Sequence, residues 1–426
     1  MKTLKTIGLF FLVYTLYTFF VVSVTDYRVV HALTGIVFIW IAFGFFAIGY
    51  LSTKGYYYCK TDSISRFPLS RISEWKLSKC MAVLAFSWFC SIAAVKFYTG
   101  RSFLSVIHGL RGSSSSYYIY QNYFANNKLG VLSITKIPFV LMLAFLTVIM
   151  MWSVLAIMLS DEKKRWWQWL YLFSVVLAYL FFGIARGTNF ETYIVFILFS
   201  FCLLNIMNGA KGRKKLRYLL IVFGLGICMV FVFRFVVMSR GFVFANDICP
   251  EIHFKKDSSV AVLFPAVTSI GLSVFSYLGY GIYAIGVAFV DVVFKSLRTC
   301  IAVLLPLGFK VICGSSLNEL LRSTIDLQTR WVPDYIQLID SFGLPLLLVL
   351  FFFLGRAMAR VSKSNCPKLL KNVMEAIVYI EMLSIPVGNF LVISSSNKLM
   401  ILFAILWLFC FKYTHSGFIS TERNEM

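Results

Sequence analysis

Long apolar runs, separated by short clusters of lysine and arginine, set the rhythm of this chain. The first, Ile7 to Val24, follows Lys2 and Lys5 and has the length needed to cross hydrocarbon, about 20 residues of helix. It lacks a small-residue cleavage site and reads as an uncleaved first span. A second run, about 29–51, follows a short turn holding Asp26 and Arg28. Further runs predict spans at about 80–97, 134–159, 167–185, 189–207, 218–237, 341–360, 373–393 and 398–413. Lipid offers backbone amides no water, so such runs must be helices. The alternating segments of an outer-membrane barrel are missing.

The stretch 260–313 is apolar but less regular. Val260 to Val290 is rich in glycine and small residues, Ile301 to Cys313 is interrupted by Pro306, and Lys295 and Arg298 lie between. Two placements fit: two spans joined by a small turn, or helices that lie in the outer interface or dip part-way in. Either adds an even number of crossings, so the expected total is ten or twelve. The expected fold class is all-α, a polytopic helical membrane bundle with 10–12 transmembrane helices and an outer loop region containing short helices. Three parts follow: 1–237 with the first seven spans, an outer loop region at 238–340, and 341–426 with three more spans.

Composition agrees. The 426 residues are 60% hydrophobic and 14% charged, against about 25% charged in soluble domains. A net charge of +22 in a soluble protein would point to nucleic acid, but here the basic residues cluster in short loops. That is the positive-inside pattern, and no nucleic-acid partner is expected. Segments 52–79, 161–166, 208–217 and 362–372 are assigned to the cytoplasm, together with both termini. The ten cysteines lie mostly inside apolar runs and form no CxxC, so neither a disulfide framework nor a metal site is expected.

Against that bias, arginines on the outer face stand out: Arg28, Arg101, Arg111, Arg186, Arg240, Arg322 and Arg330, with Arg234 just inside its span. A guanidinium binds phosphate in a bidentate fork, and a ring of them at head-group depth suits a phosphorylated lipid. Snorkelling to lipid phosphates accounts for such residues equally well one by one. The sharpest local feature is Gly183-Ile-Ala-Arg-Gly-Thr-Asn-Phe-Glu191. Arg186 closes one span, Gly187 allows a tight turn, and Thr188 and Asn189 are candidate caps for the next helix, whose free amides attract anions. Glu191 is either a functional carboxylate or the structural partner of Arg186.

A second feature is Arg330-Trp-Val-Pro-Asp-Tyr-Ile-Gln-Leu-Ile-Asp-Ser-Phe-Gly343. Asp340 either caps the following span or, like Asp334, handles a sugar hydroxyl. Trp331 and Tyr335 offer flat faces for pyranose rings, as do the tyrosines at 117–123. Glu381 lies inside a span and needs a partner, while His108 and His253 are outer histidines without a companion motif. No HExxH, Walker, GxSxG or dinucleotide-binding signature occurs.

In feature order the chain resembles the O-antigen polymerase (Wzy) family of bacterial repeat-unit polymerases. The resembling elements are Leu110-Arg111 before a Tyr-rich loop, Gly183-Ile-Ala-Arg-Gly187 at a hairpin tip, Tyr277-Leu-Gly-Tyr-Gly-Ile-Tyr283, and Tyr335 to Gly343 leading into a span followed by basic residues. The resemblance implies a multi-pass protein of the bacterial inner membrane with a periplasmic site. There a glycan on undecaprenyl pyrophosphate is transferred to the next lipid-linked repeat unit, with a chain-length regulator protein as a further partner and no cofactor. Arg186, Arg234, Arg240, Arg330 and Arg111 are then candidates for holding the pyrophosphate, and Trp331 and Tyr335 for the sugar. Asp340, Glu191 and His253 are candidates for the base. A lipid-linked oligosaccharide flippase and an O-antigen ligase are the competing classes. A flippase would show two related halves around a mid-membrane cavity, and no such pseudo-repeat is visible.

Overall fold

The computed structural model describes residues 2–59, 75–109, 116–129, 133–239, 247–249, 252–325, 333–364 and 368–384, with a few positions beyond (394, 397–399, 401–402 and 413–416). In chain order the helices are α1 (Lys2–Val24), α2 (Val29–Ser52), α3 (Leu77–Thr99), α4 (Phe103–Gly109), α5 (Ser116–Asn126), α6 (Ile137–Leu159), α7 (Trp166–Arg186), α8 (Phe190–Gly209) and α9 (Arg213–Ser239). Then come α10 (Ser259–Leu263), α11 (Pro265–Leu278), α12 (Tyr280–Val287), α13 (Leu297–Ala302), α14 (Leu317–Thr324), α15 (Asp334–Phe342), α16 (Leu344–Ser362) and α17 (Lys368–Ser384). A π-helical segment, Ala288–Val293, continues α12. The strands pair as two small antiparallel ribbons: β1 (Tyr56–Cys59) with β4 (Tyr413–Ser416), and β2 (Asp247–Cys249) with β3 (Ile252–His253).

Among the described residues eight helices have the length and hydropathy to cross a membrane: α1, α2, α3, α6, α7, α8, α9 and α16. The protein is an all-α polytopic membrane protein, as the apolar runs predict. Its helices differ in how they meet lipid. In the most apolar window of α6, 72% of residues are buried inside the protein, against 6% for α9. α6 is therefore central, and α9 is peripheral, with Leu219, Leu220, Phe223 and Phe231 on its outside.

α2 is the axis of the other half. It crosses α16 where Gly49 faces the Phe352 carbonyl oxygen and Gly355 faces that of Phe46, and a Cβ at either glycine would collide with backbone. It meets α12 in the same way, through Gly35 against Ile282 and Gly286 against His31. Between helices in lipid, close packing replaces the hydrophobic drive, and small residues make it possible.

The two ends of the bundle are built differently. At one, Lys368 Nζ lies 2.8 Å from Asp161 in the α6–α7 turn, and Lys363 donates to the Thr53 carbonyl at the end of α2. The loop clusters around Lys76, Lys163–Arg165 and Lys211–Arg217 follow or precede helices at this end. At the other end lie the α1–α2 turn, the α7–α8 turn and the stretches 252–325 and 333–343. Thr25 bridges to Phe254, the Tyr17 hydroxyl donates to the Gly271 carbonyl, and Leu344 N donates to Val303 O at 2.8 Å. Of the two placements open for 260–313, these contacts favour the one that keeps the stretch at one end. α11 is only 14 residues long, and the helical pieces pack on the last turns of α1, the first half of α2 and the entry to α16.

Candidate functional site

The α7–α8 turn brings together the side chains of the first motif. α7 ends on Gly187 in the left-handed region (φ 65°), and the Thr188 amide returns to the Gly183 carbonyl at 3.0 Å. Gly187 is required twice over: its φ suits glycine, and α5 lies so close that a Cβ would sit 2.7 Å from the Tyr117 nitrogen. Arg186 pairs with Glu191 Oε1, and the Thr188 hydroxyl donates to Glu191 Oε2 at 3.1 Å. The Arg186 and Glu191 side chains are 18% and 4% exposed, so the pair is essentially dry. The guanidinium is held between rings, 4.3 Å from the centroid of Phe182 and 5.6 Å from that of Tyr120. Such stacking stabilises a cation and fixes its plane.

Not every polar atom at this turn is satisfied. Arg186 Nε and both amide atoms of Asn189 are buried with no hydrogen-bond partner. Asn189 occupies the N-cap position of α8 but makes no side-chain cap bond. Buried donors normally find partners, so orphaned ones beside a guanidinium and a helix N-terminus mark a place where an oxygen-rich group would be bound.

Asp340 does not cap the following span, as one of its two sequence readings had it. It lies within α15 and accepts the Leu317 amide at 2.5 Å and the Asn318 amide at 3.1 Å, so it caps α14 from across a tertiary contact. The span α16 is entered instead at Gly343. Burial pushes the Asp340 carboxyl above the usual range, while the two amides pull it back. Tyr335 is fully buried, with its ring edge-on to Phe38 at 4.8 Å and near Phe351 at 5.7 Å; no face is open to a sugar. Asp334, also fully buried, lies within electrostatic reach of Glu381 on α17, a second carboxylate rather than a compensating partner.

His253 is exposed in β3, whose backbone is tied to the α1–α2 turn: Asp26 Oδ1 accepts the His253 amide at 2.6 Å. Of the outer arginines, Arg101 is spent on structure, donating to Ser116 at 2.8 Å and to the Ser105 carbonyl at 2.9 Å. Arg111, Arg240, Arg330 and Trp331 lie outside the described residues, as does the side chain of Arg234 on α9. Among the described residues no group of three or more His, Cys, Asp or Glu side chains could hold a metal ion.

One pair escaped the sequence. His31, in the first turn of α2, is 4% exposed, and its Nε2 lies 3.0 Å from Oδ2 of Asp291 in the π-helical segment. The signal was available: Asp291 is the single charged residue of the apolar run Tyr280–Val293, and an ionisable group in such a run is a functional candidate by default.

No protein-family model, curated protein or solved structure matches the chain.

Proposed function

We propose that this protein is a membrane glycosyltransferase that polymerises lipid-linked polysaccharide repeat units, in the manner of the O-antigen polymerases it resembles. A glycan on undecaprenyl pyrophosphate is the donor, and the next lipid-linked repeat unit is the acceptor. The reading places the protein in the bacterial inner membrane, with the α7–α8 turn on the periplasmic side and both termini in the cytoplasm.

The observation that carries the reading is the dry, ring-stacked Arg186 with orphaned donors beside it. A pyrophosphate leaving group gains negative charge as its bond to the anomeric carbon breaks, and a preorganised guanidinium in a water-poor site stabilises that charge. The set of short helices in 252–325 and 333–343, packed at the same end of the bundle, is the second support. A polymerase needs room there for two glycans at once, and these short helices would border it. A chain-length regulator would dock at this end.

The test is the lipopolysaccharide ladder of a deletion strain. Core capped by a single repeat unit is the expected result. Core with no O-antigen at all would replace the polymerase by a flippase or a ligase.

A further inference from the structure

Resting on that reading, we infer that Asp291 is the general base that takes the proton of the acceptor hydroxyl, with His31 positioning it.

Two of the three base candidates visible in the sequence, Glu191 and Asp340, are engaged elsewhere. Both oxygens of Glu191 are taken, by Arg186 and by Thr188. Both oxygens of Asp340 accept amides of α14. Asp291 differs. Its side chain is 34% exposed, and among the described residues His31 Nε2 is its one polar neighbour within bonding distance. That contact has ion-pair length but lies off the line of a straight hydrogen bond, so the carboxylate keeps lone pairs available for a hydroxyl.

Position and backbone agree. A π-helical turn interrupts a helix and is found mostly at functional sites, because it turns out a side chain that an α-helix would leave in register. Here it carries Asp291. Behind it, His31 is immobilised by the edge-on ring of Tyr283 at 6.0 Å and by the approach of Gly286 to the His31 backbone. Arg28, exposed one turn before His31, lies within electrostatic reach of the imidazole. A base and a buried group that orients it thus stand together at the end of the bundle that holds the α7–α8 turn and its Arg186. This is the set that glycosyl transfer to a hydroxyl requires.

In the step, the acceptor oxygen forms a bond to the anomeric carbon of the donor glycan. The bond from that carbon to the pyrophosphate oxygen breaks, and its electron pair leaves with the lipid pyrophosphate, whose charge is the one the proposed function assigns to Arg186. The acceptor proton passes to Asp291. Nothing is oxidised or reduced.

The experiment uses the purified full-length chain in lipid nanodiscs. Its substrate is undecaprenyl-pyrophosphate-linked repeat units extracted from a strain lacking the protein, and polymer is measured as a function of pH and substrate concentration. Asp291→Asn is expected to lower kcat about 100-fold or more with KM little changed, the scale of a lost general base. Asp291→Glu should recover part of the loss. His31→Gln should lower kcat less than Asp291→Asn does and move the acidic limb of the pH–rate profile, which a merely structural histidine would not do. Polymer made by the wild type together with an unchanged kcat in Asp291→Asn overturns the base and leaves the proposed function standing. Should Asp291→Asn fail to fold, an unmoved pH–rate profile in His31→Gln overturns the inference on its own. A wild-type chain that makes no polymer overturns the proposed function, and the inference with it.

Discussion

Arg186 and Glu191 pair across the α7–α8 turn with both side chains almost out of solvent, and the Thr188 hydroxyl holds the second carboxylate oxygen. The pair was legible as one of two options, a hairpin clasp or an anion site. The geometry makes these separable rather than exclusive. Removing one partner strands a buried charge and costs about 3–5 kcal/mol, whereas replacing both by apolar residues is often close to neutral. Arg186→Ala is therefore expected to lower the unfolding temperature in detergent and to abolish the polysaccharide ladder. The double variant Arg186→Met/Glu191→Leu should recover much of the stability. If Arg186 also binds pyrophosphate, the double variant remains without polymer; a normal ladder from it would reduce the pair to a clasp.

Asp340 supplies a pH-dependent test. Its carboxyl is pushed up by burial more than the Leu317 and Asn318 amides pull it down. The folded protein therefore binds the proton more tightly than the unfolded chain does. For a raised acid, stability falls as pH rises from the ordinary aspartate range through the elevated value. Wild type should lose stability between those two points, and Asp340→Asn should lack this component. Asp340→Ala should cost about 1 kcal/mol at any pH through loss of the cap. Thermal unfolding of the three proteins in detergent across the acidic range decides it; identical pH slopes for wild type and Asp340→Asn would remove the group from the pH response.

What the sequence conveyed and what it withheld divide along the distance over which each fact is encoded. The spans were legible because burial in lipid imposes a composition on each run by itself, and even there ends moved: α17 starts at Lys368, a few residues before the apolar run. The Gly187 turn was legible because its residues are neighbours. The helix that Asp340 caps was not legible because its partners, Leu317 and Asn318, belong to another helix, and no local pattern announces an amide arriving from elsewhere. His31 and Asp291 come from opposite halves of the chain and meet only when α12 packs on α2. For 260–313, apolar composition alone does not distinguish a helix that crosses from one that lies across the ends of others.

The glycine contacts of α2 predict a sharp contrast within one helix. A Cβ at Gly49 meets the Phe352 carbonyl, and one at Gly355 meets the Phe46 carbonyl, both backbone atoms that cannot swing aside. Gly44, on the same helix, has nothing within 4 Å of the place a Cβ would occupy. Gly49→Ala and Gly355→Ala should each force α2 and α16 apart, with a loss of about 1–3 kcal/mol typical of overpacking. Gly44→Ala should be neutral or slightly stabilising, since alanine is the better helix former. Unfolding temperatures in detergent give the answer; equal losses at positions 44 and 49 would mean that α2 and α16 do not cross there.

Orientation in the membrane is the last test, and it follows from the two unlike ends of the bundle. One end gathers the basic clusters, with Lys363 on the Thr53 carbonyl and Lys368 on Asp161; the other carries the α1–α2 and α7–α8 turns. Charge bias assigns the basic end to the cytoplasm. Single cysteines placed in a cysteine-free background at Lys214, just after the α8–α9 turn, and at Ser116, at the start of α5, sit at opposite ends. A membrane-impermeant maleimide added to intact cells with permeabilised outer membranes should label Ser116→Cys and not Lys214→Cys, and lysis should make position 214 reactive. Labelling at 214 in intact cells would invert the protein. It would also turn the Arg186 turn and the Asp291–His31 pair towards the cytoplasm, where a periplasmic transfer is impossible, so this one measurement bears on the orientation and on the proposed reaction together.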